Sequence, residues 1–543
     1  MKKIVNSKSG ISLITLIITI VVIIILAAAV ILTLGDNNPI DKAKEARRVS
    51  DIANIKEEIQ MDVLGKQLEN AGDISDATLQ EILEKYGTLS EEENLMDKTL
   101  ITTKEKYEIK VSDIFNSTAA KIANAPDTSG FNKANTYYVT YNLNEEKTTY
   151  IENERKLSES TAPSNWYDYS AGVNHWANVK TTGGGNDCYW VWIPRYAYKV
   201  PTKGNTAEEI KVKFLKDKTN TPIEGGEAIT NTTPTPGTWV VHPAFTNEGN
   251  GGLGELDGIW VAKFEASSNS SEVVENPTNE QLATFGGGNT TSLQVRVKPN
   301  VTSWRKINVN NIFSVCQNLT TAGNSLENTS DIDSHMMKNT EWGAVAYLSS
   351  SVYGKNGKVW NNPYYYNQTS APITGLCSNE SNGYESPTED ITKTYKYNEV
   401  GGGNASTTGN VYGVYDMAGG AWEYVAGIYT GATSNDDRSK LWDFNNSKYV
   451  DKYTETTGSQ ANYYGNTYKY GDAVYETSSS GDGNYGWDSD HSYFLTSDAP
   501  VFLRGAHAGS GIFAGIFAFS GLPGDIVNAN GVSFRPVLSK SQT

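Results

Sequence analysis

The sequence predicts an α+β chain: an N-terminal transmembrane helix running on as a helical stalk, then a large domain rich in short strands and loops. Three observations predict it. Ile11–Leu34 is apolar apart from Ser12, Thr15, Thr19 and Thr33. Asp41–Glu69 places Ile52, Ile55, Ile59, Val63 and Leu64 at helical spacing on one face. From Tyr137 onward, Tyr, Trp, Gly, Asn and Thr take over, in short apolar segments between turn signals.

The first element sets the compartment. As a helix Ile11–Leu34 is about 36 Å long, enough to cross a bilayer core. Lys2, Lys3 and Lys8 precede it and, by the positive-inside rule, leave the rest of the chain outside the cell. A cleaved signal peptide would carry small residues after a shorter run, whereas Ala27-Ala28-Ala29 lies inside this one. Lys8-Ser9-Gly10-Ile11 before an unbroken apolar helix resembles the N-terminus of type IV prepilins. That resemblance implies processing between Gly10 and Ile11 by a prepilin peptidase, with methylation of the new N-terminus. Ile11 stands where the family usually has Phe, and Thr15 where major pilins have Glu. The resemblance therefore points to a pilin-like anchor or minor tip subunit. Without it the segment reads as a plain anchor helix.

The remaining elements follow in order. Residues 35–72 read as a stalk, and the acidic charge dense between Asp36 and Asp113 reads as its solvated face. Residues 73–115 read as a small α+β module, with a helix near Thr78–Tyr86 and an alternating strand, Tyr107–Val111. Residues 116–160 read as a linker and hairpin, and 161–543 as the large domain. Gly183–Asn186, Gly286–Asn289 and Gly401–Asn404 repeat Gly-Gly-Gly-Asn without the Lys-Ser/Thr of a phosphate loop, and read as flexible surface loops.

Composition narrows the function. The 543 residues carry 45 Lys and Arg against 62 Asp and Glu, a net charge of −17, which disfavours nucleic acid as a partner. The chain has 14 Phe, 12 Trp and 32 Tyr, ample for a core, and a tyrosine excess suits recognition surfaces. Cys188, Cys316 and Cys377 form neither a closed disulfide framework nor a metal-ligand spacing. His175, His242, His335, His491 and His507 are scattered, so no catalytic constellation is expected.

A series of segments carries a second resemblance. They are Tyr189–Tyr196, Gly258–Glu265, Asn339–Leu348, Gly413–Tyr424 (with Tyr-Asp-Met-Ala-Gly-Gly-Ala-Trp-Glu), Phe502-Leu503-Arg504-Gly505 and Phe534-Arg535-Pro536-Val537-Leu538. Their order resembles the formylglycine-generating-enzyme-like domain, which implies a C-type-lectin-type fold. The enzymes of that family depend on cysteines between the Arg-Gly and Phe-Arg segments. Here residues 378–543 contain none, so oxidase activity is not expected. Trp422, Glu423 and Arg535 read as scaffold. No cofactor is expected; a structural calcium on Asp416 and Glu423 is the one metal reading considered, without a dense acidic loop to support it.

The same frame is similar to the variable proteins of diversity-generating retroelements, in which the segment between Arg-Gly and Phe-Arg-Pro is rewritten at template adenines. Randomised Asn codons cannot yield Lys, Glu, Gln, Met or Trp, and Gly505–Ser533 contains none of these. The resemblance implies two ligand-facing loops: His507, Ala508, Ser510, Ile512 and Phe513, then Ser520, Leu522, Pro523, Asp525, Ile526, Val527 and Asn528. Ile512, Phe513, Leu522 and Ile526, if exposed together, make an apolar patch. Ala514–Phe519 reads as a buried strand between the loops. The expected function is an adhesin-like ligand-binding protein on the extracellular face of a bacterial cell, membrane-anchored through Ile11–Leu34 or pilus-associated, with a protein or glycan partner. The alternatives are a fixed pilin-like or wall-associated structural protein and a formylglycine-generating-type oxidase.

Overall fold

In the computed structural model the chain divides into two compact units, Met1–Ala119 and Ala120–Thr543. The structure describes residues 47–48, 51–52, 55–56, 58–59, 62, 76–92, 95, 98–111, 114, 123–159, 161–202, 209–269, 294–329, 331–364, 372–379, 390–454, 470–480, 482–522, 524 and 531–540. Gly10, Ile11 and the run Ile11–Leu34 lie outside them, as do Pro523 and Asp525–Asn528.

The expected class, an α+β chain led by a transmembrane and stalk helix, is corrected. The described residues form a strand-and-loop fold, and no helix among them is long and apolar enough to cross a membrane. The longest continuous helix among the described residues, Asn339–Ser349, has 11 residues, or about 16 Å against a bilayer core of about 30 Å.

Of the apolar face assigned to the stalk, Ile52, Ile55 and Ile59 face inward, and Val63 and Leu64 lie outside the described residues. Ile59 is fully buried with Leu79, Ile82, Leu83, Leu100 and Ile109, and Ile52 and Ile55 pack against the same cluster. An amphipathic helix stabilises itself by burying its stripe, and here the stripe has a partner. The helix Asp76–Glu84 and the antiparallel strands Gly87–Leu89, Thr99–Thr102 and Glu108–Lys110 complete this unit.

The second unit is built on an antiparallel seven-stranded sheet. Its strands run, in spatial order, Ile332–Met336, Pro536–Lys540, Gly258–Ala262, Cys188–Pro194, Asn178–Thr181, Thr136–Leu143 and Tyr150–Lys156. Cys188–Pro194 and Gly258–Ala262 are buried at every residue. That is why they read as unbroken apolar runs rather than alternating ones. Trp192 and Trp260 face each other in register, with ring centroids 5.1 Å apart. The hairpin Thr136–Leu143/Tyr150–Lys156, assigned from sequence to a segment ahead of the domain, hydrogen-bonds into this sheet through Asn178–Thr181.

A second sheet joins Trp422–Tyr429 to Asp451–Tyr453, Val501–Arg504 and Val532–Phe534, and continues through Phe519–Leu522 to the short strands Ser492–Tyr493 and Asp482–Gly483. The helix Asn339–Ser349 is buried along its whole length. Glu341 in its first turn accepts from the Lys338 N–H at 2.8 Å, satisfying one of the donors that a helix start leaves open.

The Gly-Gly-Gly-Asn segments at 183–186 and 401–404 are short 3-10 turns, the first with Gly184 and Gly185 exposed at the surface and the second with Gly402 and Gly403 buried, and the copy at 286–289 lies outside the described residues. At Gly402 a Cβ would fall 1.9 Å from the Lys396 carbonyl oxygen. Close backbone approach, not flexibility, explains glycine there.

Candidate functional site

Val501–Arg504 and Phe519–Leu522 form a hairpin in which Arg504 pairs with Phe519 and Val501 with Leu522. The connection between them leaves the first strand at Gly505, whose φ is +82 and where a Cβ would press on the Trp342 ring at 3.2 Å. It then makes a 3-10 turn at Ala508–Phe513, and Gly511 (φ 55, ψ −124) bends it back. Ala514–Phe519 is buried throughout, as expected, but only Phe519 lies in the strand.

This connection is gripped from beneath. Lys358 Nζ donates to the Ile512 carbonyl (3.0 Å), and Asn361 Nδ2 to that of Gly511 (2.7 Å). Trp342 Nε1 donates to the Ile516 carbonyl (2.7 Å), and Arg504 Nε to that of Ala518 (3.1 Å). The Phe517 N–H donates to Asp490 Oδ2 (3.0 Å), the Ala508 N–H to the Gly420 carbonyl (3.1 Å), and the His491 N–H to the Phe513 carbonyl (2.9 Å). Each of these bonds ends on the main chain of the connection.

The side chains divide by depth. Ile512 is 50% exposed. His507, Ser510, Phe513, Ser520 and Leu522 are half-buried, and Leu522 packs partly against the core. Ala508, chosen from sequence as ligand-facing, is buried. Phe517, Phe519, Phe534, Arg504 and Arg535 are buried as scaffold. The fold thus brings Ile512, Phe513 and Leu522 onto the same hairpin. Ile526, the fourth member of the expected patch, lies outside the described residues.

Three neighbours were not legible as site residues. Trp422, half-buried, packs on Ala506, Ala514 and Ala518. Its ring stands edge-on to His491 (5.7 Å) and His507 (6.3 Å). His491 stacks on Tyr493 at 5.6 Å, and Tyr493 is 39% exposed. The parallel pairing of Ser492 with Phe519 places this aromatic group beside the loop. No local motif encodes that pairing. Burial lowers the pKa of His491, with His507 adding to the effect, and burial lowers that of His507. The imidazoles beside the loop are therefore neutral at pH 7. Burial pushes Asp490 up to about 7 against the pull of Lys358, whose Nζ lies 3.2 Å from Oδ1.

The frame below is held by buried charge. Arg535 donates Nε to Glu423 Oε2 (2.8 Å), Nη2 to Glu423 Oε1, and further bonds to the carbonyls of Ala262 (2.8 Å) and Tyr415 (3.0 Å). Arg504 also binds Asn339 Oδ1 (2.7 Å) and the carbonyls of Asp472 and Ala473. Asp416, at φ +62, accepts from the Gly375 N–H (2.9 Å) and Asn362 Nδ2 (3.0 Å). The oxygens of Asp416 and Glu423 are thus committed to protein donors, a poor set for calcium, which needs six or more open oxygen ligands. Among the described residues no group of three or more His, Cys, Asp or Glu is placed to hold a metal.

Cys188, Cys316 and Cys377 are all buried. Burial pushes the thiols of Cys188 and Cys377 up to about 12 and that of Cys316 well above its ordinary value. A separate open cleft of about 590 Å³, lined by Asp127, Ser129, Lys133, Tyr138 and Glu159 among others, contains none of the residues above. No protein-family model matches this chain, and no curated protein matches it.

Proposed function

We propose that this protein is an adhesin-like, ligand-binding protein displayed on the bacterial cell surface, and that the Val501–Leu522 hairpin carries a recognition site diversified by a retroelement. One observation carries the reading: the scaffold holds the Gly505–Ala518 connection by its main chain. Such a grip is indifferent to side-chain identity, which is what a site rewritten residue by residue requires. The half-exposed Ile512 and Tyr493, with neutral imidazoles nearby, suit a protein or glycan surface as ligand. The net charge of −17 argues against nucleic acid. Buried thiols argue against cysteine-dependent oxidation, because the thiolate is the reactive form. The Lys8-Ser9-Gly10-Ile11 junction supports export with processing after Gly10.

The test is a library of the full chain randomised together at residues 507, 510, 512, 513, 520 and 522, scored for folding and for binding to protein and glycan arrays. The reading expects most members to fold and their ligands to differ. A library in which only conservative replacements fold would sink it.

A further inference from the structure

Lys263 is fully buried directly after the strand Gly258–Ala262. Its three close partners are uncharged: Asn178 Oδ1 at 2.5 Å, the Val411 carbonyl at 2.6 Å and the Tyr141 hydroxyl at 3.1 Å. A lysine ammonium desolvated without a carboxylate in contact is costly, so the residue needs a reason to be there.

Asn178 is also fully buried. Its Nδ2 donates to the carbonyls of Trp176 (2.8 Å) and Tyr412 (2.7 Å), which fixes the amide with its oxygen toward the lysine. A C=O bond is about 1.23 Å, so Nζ lies within about 3.7 Å of Cγ, close to the separation at which held reactants begin to react. Burial pulls Lys263 down to about 7, with Glu152 opposing, and a share of molecules near neutrality therefore carries the free amine. A neutral amine can donate its two hydrogens to the Val411 carbonyl and the Tyr141 hydroxyl, which leaves its lone pair for the side of Asn178. Tyr141 pairs across the sheet with Glu152, whose own carboxyl is held up by burial and accepts from Tyr189 (2.8 Å) and Tyr397 (3.2 Å).

We propose that Lys263 and Asn178 join in an intramolecular isopeptide bond. Nζ attacks Cγ and the Nζ–Cγ bond forms. One proton of Nζ is transferred to Nδ2, the Cγ–Nδ2 bond breaks, and ammonia leaves. Nothing is oxidised or reduced, and no co-reactant is consumed. The strand Asn178–Thr181 and the strand leading to Lys263 flank Cys188–Pro194 on opposite sides, so the bond ties the sheet across its central strand. It also removes the buried charge.

The experiment is peptide mapping of the folded, full-length protein after trypsin. The proposal expects a branched peptide joining the Asn178 and Lys263 segments, uncut after Lys263 and about 17 Da lighter than the two linear peptides together, the mass of ammonia. Lys263→Arg should restore the linear Asn178 peptide. Wild-type protein with native near-ultraviolet circular dichroism that yields only linear peptides, cut after Lys263, would overturn it.

Discussion

Truncating Phe517 and Ile512, only five positions apart, should give opposite results. Phe517 is 2% exposed and lies edge-on to Trp487 at 5.2 Å. Phe517→Ala removes a buried ring and leaves a cavity, at a cost on the order of 3–5 kcal/mol. Ile512 is 50% exposed. Burying such a side chain completely is worth about 1.5–3 kcal/mol, so losing the half that is covered costs roughly 1 kcal/mol. Lys358 binds the carbonyl of residue 512, not its side chain, and that bond survives Ile512→Ser. The gap of about 2 kcal/mol or more is at least a 20-fold difference in the folded-to-unfolded ratio. Denaturant unfolding of the full chain, followed by tryptophan fluorescence, reads both variants. An Ile512→Ser variant as unstable as Phe517→Ala would mean that the connection is held by its side chains, and the argument from its main chain would be refuted.

Other outcomes follow from the buried groups. Glu423→Ala should destabilise by about 3–5 kcal/mol in a melting experiment, because it strands the Arg535 guanidinium in the core. His335, clamped by Asp333 and Glu341 at 2.9 Å each, is raised from 6.5 to about 9 despite its burial. A raised folded pKa contributes stability that is complete below 6.5 and lost as pH rises through about 9, so His335→Ala should flatten the melting temperature across that window. A thiol reagent should label none of the three cysteines in folded protein and all three in denaturant. Rapid labelling of the native state would contradict their burial.

The frame was legible in the sequence where chemistry is local. Continuous apolar runs such as Cys188–Pro194 and Gly258–Ala262 announce strands covered on both faces. Arg504, Arg535 and Glu423, charges set among aromatic and small apolar residues, announced buried braces. The rest depends on pairing over distance. Lys358, Asn361 and Asp490 belong to the site only because the chain returns them beneath the hairpin. The two histidines near Trp422 looked scattered because a pairing of Ser492 with Phe519 leaves no periodic trace. The stripe of Ile52, Ile55 and Ile59 shows the same limit: spacing reveals an apolar face but not what covers it, and the cover is Leu79, Ile82 and their neighbours. Asn178 and Lys263, 85 positions apart, could not be paired by any motif.

Deep sequencing of this gene across cells of a single bacterial population tests the central claim most directly, together with a search of the flanking DNA for a near-copy of the C-terminal coding segment beside a reverse transcriptase. The account predicts substitutions concentrated at the codons of His507, Ser510, Ile512, Phe513, Ser520 and Leu522, matched to adenines in the near-copy. Arg504, Phe517, Phe519, Phe534 and Arg535 should remain invariant. An unchanging hairpin with no near-copy, or substitutions falling on the buried frame as often as on the exposed side chains, would contradict it.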